Sequence, residues 1–116
     1  MPSSRIQKHF GILEYLKDLS KKDQKNFIEN ASSEVLKTIS EICLNLIKGT
    51  VKIPESDLKK LKKYKIQIVS LSQKRHSVKK RKNICNQKGG FLGSLLGVIL
   101  PSLISTIITA TQRKRS

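Results

Sequence analysis

Apolar residues recur at three- and four-residue intervals through the first half of the chain, and capping residues sit in the breaks between these runs. Ile6, Phe10, Leu13, Leu16 and Leu19 fall on one side of a helix over residues 5–19. Ser20-Lys-Lys-Asp23 resembles a capping signal and predicts a short second helix carrying Phe27 and Ile28. Asn30-Ala-Ser32-Ser33 ends that helix and caps a third. From Glu34 onward Val35, Leu36, Ile39, Ile42, Cys43, Leu46 and Ile47 share one face, and Gly49 stands where a C-terminal cap belongs. These three segments predict a small antiparallel helical bundle over residues 1–49.

After a connector over residues 50–53, Pro54-Glu55-Ser56-Asp57 reads as a helix start with acids in its first turn. Leu58, Leu61, Tyr64, Ile68 and Leu71 form the stripe of that helix, and Ser77 caps a further one with Val78, Arg81 and Cys85 on one side. Gln87-Lys88-Gly89-Gly90-Phe91 then forms a junction, read locally as a helix cap and hinge. Beyond it, residues 91–111 are a run of 21 without a charge. As a helix this run is about 32 Å long, close to the roughly 30 Å of a bilayer interior. Pro101 withdraws the hydrogen bond that the Gly97 carbonyl would receive, which is expected to split the run into two halves. In the second half Leu103, Ile104, Ile107 and Ile108 face one way, and Ser102, Ser105, Thr106 and Thr109 the other. That pattern suits a helix lying on a membrane or packed on protein as well as one spanning lipid. Gly89, Gly93 and Gly97 make a small-residue ridge that permits close helix approach.

Charge sharpens this division. All eight carboxylates lie in residues 1–57, where nine Lys/Arg leave a net charge of +1. Residues 58–116 carry fifteen Lys/Arg and no acid, for +15. Twelve of the fifteen fall in a basic helical region over 54–88: Lys59, Lys60, Lys62, Lys63, Lys65, Lys74, Arg75, Lys79, Lys80, Arg81, Lys82 and Lys88. Apart from Glu55, four residues before Lys59, no acid stands four residues from them to relieve the repulsion, so an anionic partner is expected. These side chains supply charge without a base-reading pattern, which points to a polyanion held through its charge and not by its sequence.

Other chemistry finds little support. Five aromatics (Phe10, Tyr15, Phe27, Tyr64, Phe91) and no Trp argue against stacking platforms for single strands. A helix-turn-helix reader over the second and third helices would offer base edges only Lys37 and Lys48, with Glu34 and Glu41 beside them. His9, Cys43, His76 and Cys85 are scattered without metal-ligand spacing, and no nucleophile has a recognisable catalytic context, so neither cofactor nor enzymatic activity is expected. Two lone cysteines fit a reducing compartment; Cys43 reads as core, and Cys85, among lysines, reads as structural too. Residues 1–20 lack the apolar stretch of a signal peptide.

A Lys/Arg-rich segment followed by Gly-Gly and a proline-broken apolar tract resembles the adenoviral core protein X, precursor of the mu peptide. The stretch that carries this runs from Lys79-Lys80-Arg81-Lys82 through Gly89-Gly90-Phe91-Leu92 to Leu100-Pro101-Ser102-Leu103-Ile104. The chain is also similar to the short X-like core proteins of adintoviruses and Maverick/Polinton elements, which share a helical N-terminal region and a close relative of Gly89–Gly97. The second resemblance covers about residues 13–104, the first about 74–108. Both imply a virion component that binds packaged double-stranded DNA, present in the host nucleus or cytoplasm before assembly. They also imply a viral protease that cuts after Gly-Gly, here in the frame Gln87-Lys88-Gly89-Gly90, before Phe91. The chain departs from the adenoviral pattern in using Lys where that protein uses Arg, and in its acid-balanced N-terminal helices.

The expected fold is mostly α: a small helical N-terminal module, a basic helical middle and a Gly/Pro-interrupted apolar C-terminal helix over 89–116 with a basic end. The expected function is a viral core protein that condenses double-stranded DNA. In that reading Gly93, Gly97 and Pro101 shape a tail that packs on capsid proteins or a membrane. The alternative is a tail-anchored or membrane-active protein whose single span is 91–111, with seven Lys/Arg in residues 71–90 against three after the span placing the N-terminus in the cytosol. A cellular adaptor with a basic localisation signal is a third class.

Overall fold

A computed structural model describes residues 4–115 of the chain, with side chains described for 4–103. The elements are α1 (Ser4–Lys17), α2 (Lys21–Glu29), α3 (Ser33–Lys48), α4 (Glu55–Leu61), α5 (Lys65–Leu71), α6 (Val78–Asn86) and α7 (Phe91–Arg115), with a 3-10 turn over Lys62–Tyr64 between α4 and α5. Three serines start three of the helices. Ser20, Ser32 and Ser77 are extended, and their hydroxyls accept from the backbone N–H of Asp23, Val35 and Lys80. Gly49 ends α3 in the left-handed conformation, φ 70°, with its own N–H donating to Leu46 and that of Thr50 to Asn45. The fold is mostly α, and no strand occurs among the described residues.

One hydrophobic core runs through all three segments that the sequence sets apart. It joins Ile6, Leu13 and Leu16 of α1, Ile39 and Ile42 of α3, Ile68 and Leu71 of α5, Ile84 of α6 and the apolar side chains of α7. Helix α7 lies against α1, α4 and α6, while α3 packs on α1, α5 and α6. Phe91, Leu95, Leu96 and Leu100 are fully excluded from solvent, and Leu92, Ile99 and Leu103 nearly so. Within the run weighed as an alternative membrane span, the apolar side chains from Phe91 to Leu103 are therefore packed in the protein core, and among the described residues no helix is long and apolar enough to cross a membrane. The side chains from Ile104 onward, including the expected amphipathic pattern there and the Arg113–Arg115 end, lie outside the described residues.

Pro101 does not split the run. The backbone is helical from Phe91 to Arg115, with Pro101 inside. Gly97 and Pro101 lie one turn apart on the exposed side, so the freed Gly97 carbonyl can face water, and no Cβ at 97 crowds the site. The small-residue ridge is also partial. A Cβ at Gly93 would come within 3.3 Å of the Gln24 amide nitrogen, which marks a close approach of α7 to α2, whereas Gly97 faces open space. The single helix expected from residue 54 is broken by the 3-10 turn. Three residues per turn there keep Leu61 and Tyr64 in register, and Leu61, Tyr64, Ile68 and Leu71 are buried. Leu58, Ile47 and Val78, expected on apolar faces, are 41%, 49% and 38% exposed.

Candidate nucleic-acid interface

Eight of the twelve expected DNA contacts are exposed cations with no anionic partner among the described residues: Lys59, Lys62, Lys63, Lys65, Lys74, Arg75, Lys79 and Lys80. They follow from local folding. The stripe Leu61, Tyr64, Ile68 and Leu71 turns inward, so the residues between it turn outward. Lys63 also places its ammonium 5.2 Å from the Tyr64 ring centre, over an aromatic face. Lys65, Arg75 and Lys80 line a shallow groove of about 700 Å³ floored by Ile66 and Val69, with His76 at its side. The His76 Nε2 is 3.4 Å from the Ser70 hydroxyl.

The other four are engaged within the protein. Lys60 pairs with Asp57 at 3.4 Å, an exposed contact one helical turn apart. Lys82 donates to the Glu29 carbonyl at 2.7 Å, a cation at the C-terminal end of α2 where the helix dipole favours it. Lys88 donates to the Lys63 carbonyl at 3.0 Å and ties the α6–α7 turn to the basic region. Arg81 departs most from expectation. It is buried, with 6% of its surface exposed, and its guanidinium donates to the Lys74 carbonyl at 3.1 Å. The same helical side that carries Ile84 and Cys85 inward takes Arg81 with it.

Several residues join the basic surface that charge counting passed over. Lys21, Lys22 and Lys25 of α2 meet Lys88 around a recess of about 370 Å³ beside Gly89 and Gly90. In the sequence they stand among Asp18, Asp23 and Glu29 and look neutralised; only the packing of α2 on α6 brings them to Lys88. Buried Gln24 donates to the Leu16 and Lys17 carbonyls at 3.2 and 3.4 Å and closes the end of α1. A glutamine caught on a short polar helix gives no sequence signal of this kind.

The Gly-Gly junction is half presented. Gln87, Lys88 and Gly89 are exposed, and the Gln87 side-chain oxygen accepts from Gln67 at 3.1 Å. Gly90 holds φ 87°, and its carbonyl accepts the first hydrogen bond of α7 from Ser94. Phe91 is fully buried, its ring 5.4 Å from that of Tyr64. A protease binds its substrate extended on both sides of the cut, so the bond before Phe91 is accessible only from its N-terminal side.

The two free thiols are buried and held in their protonated form. Burial pushes the Cys85 thiol up to about 12, and burial, with Cys85 nearby, drives Cys43 further in the same direction. Among the described residues no cluster of three or more His, Cys, Asp or Glu could hold a metal ion. Compared with family models, curated proteins and solved structures, the chain has no match in any of the three.

Proposed function

We propose that this chain binds and neutralises double-stranded DNA through its phosphates, without sequence specificity, as its resemblance to viral core proteins implies. The observation that carries this reading is the set of eight exposed, unpaired cations along α4, the 3-10 turn, α5, α6 and the loop between them. The exposed cations are almost all lysines, which bind phosphate as point charges and give little bidentate recognition of base edges. The apolar tail serves as the helix that holds this basic surface in shape. Membrane anchoring is the less supported reading, because residues 91–103 would have to leave the core to enter lipid.

Titration of full-length protein with a fixed and a randomised duplex, over a range of salt, tests the proposal. Eight phosphate contacts give a log–log slope of about −7. Affinities for the two duplexes should agree within a few-fold. A slope near zero, or a strong preference for one sequence, would overturn it.

A further inference from the structure

A second basic site lies where the N-terminal helices meet the loop between α5 and α6. It is a cleft of about 520 Å³ whose walls carry Arg5, Lys37, Lys48, Lys74 and Arg81. Glu41 also lines it and is engaged within the protein, and Glu34 beside it pairs with Arg5 at 3.3 Å and Lys37 at 3.9 Å. Cations therefore outnumber carboxylates around the cleft, and three of them, Arg5, Lys37 and Lys48, come from the half of the chain whose charge is nearly balanced.

Two buried donors distinguish this cleft from a patch of surface lysines. Arg81 and Ser40 line it and are only 6% and 8% exposed. The Arg81 Nε–H and the Ser40 hydroxyl have no hydrogen-bond partner among the described residues, although the other end of the guanidinium is held by the Lys74 carbonyl. Buried donors are rarely left without an acceptor, least of all on a charged group. The geometry points to a phosphate-binding site, in which the Arg81 and Ser40 side chains turn to donate to a phosphate group seated in the cleft while Lys48 and Lys74 neutralise its charge. A tetrahedral phosphate oxyanion suits this donor set better than a carboxylate, because its acceptor oxygens are not confined to one plane and take hydrogen bonds from several sides. The phosphate can be one of a DNA backbone or that of a small free anion. The site is distinct from the eight exposed cations except for Lys74, so it does not depend on the DNA-binding reading.

The test uses full-length protein and follows the Arg81 Nε–H resonance during titration with inorganic phosphate, with chloride at equal ionic strength as control. Saturable movement of that resonance with phosphate alone, weakened at least about tenfold by both Ser40→Ala and Lys48→Gln, supports the site. Movement that is linear in phosphate or reproduced by chloride overturns it. A short duplex separates the sources. If it moves the same resonance and competes with phosphate, a backbone phosphate occupies the cleft. If it binds elsewhere while phosphate still saturates the cleft, the ligand is a small free anion. Loss of duplex binding with phosphate saturation intact would sink the DNA reading and leave this site standing.

Discussion

Gly90 holds a backbone conformation that side chains with a Cβ adopt at a cost of about 1–2 kcal/mol, whereas its surroundings would admit a methyl group, with Tyr64 Oη 3.4 Å away. Gly90→Ala and Gly49→Ala should therefore both destabilise the fold by roughly that amount through backbone strain alone. Gly11 lies inside α1 without a left-handed φ, and a methyl group added there would meet nothing within 4 Å. Gly11→Ala should stabilise by about 0.5–1 kcal/mol. Urea unfolding of the three variants checks the opposite signs. The thiols give a second test at this scale. Cys85 has a folded pKa raised from 9.0 to about 12, so its contribution to stability is full below pH 9 and is lost as pH rises towards 12. Unfolding midpoints should fall over that range, and fall less in Cys85→Ala. At neutral pH both thiols should react with alkylating reagents only after unfolding.

Helix α7 is the element on which the fold depends. Leu95 and Leu96 are fully buried, so Leu96→Ala should cost about 2–5 kcal/mol, and a chain ending at Gly90 should lose cooperative unfolding. A tail whose work was done in lipid would leave the remaining helices unaffected by either change. Because Phe91 is buried, cleavage of the native chain after Gly90 should also be slow, and Phe91→Ala should accelerate it. Most helices were legible in the sequence, since periodicity, the three serine caps and Gly49 each act within a few residues. The role of α7 was not. An uncharged run rich in Leu and Ile looks alike whether lipid or protein covers its apolar side, and only tertiary packing decides. Leu58 shares the spacing of buried Leu61 within α4 yet is exposed, since it stands near the start of that short helix where the stripe runs past the elements that cover it. Arg81 shows the same limit in the site: its position beside the inward side of α6 was visible, but its charge suggested the surface.

At the scale of the whole molecule, a net charge of +16 has few counter-ions within the fold. The ion pairs are largely exposed and each contributes little, so repulsion among the basic residues should dominate the response to salt. The melting temperature should rise as salt increases to roughly 0.15 M, where the screening length falls to about 8 Å. A decrease would mean that attractive pairs hold the molecule together. In the proposed function exposed lysines neutralise phosphate while α7 maintains the shape that displays them. The most direct measurement compares wild type with a Lys59→Gln, Lys62→Gln, Lys65→Gln, Lys79→Gln variant in duplex binding over a range of salt. The variant should unfold at the same urea concentration or higher, and its log–log slope should fall from about −7 to about −4. An unchanged slope in a folded variant would show that these lysines do not meet DNA, and would contradict the account.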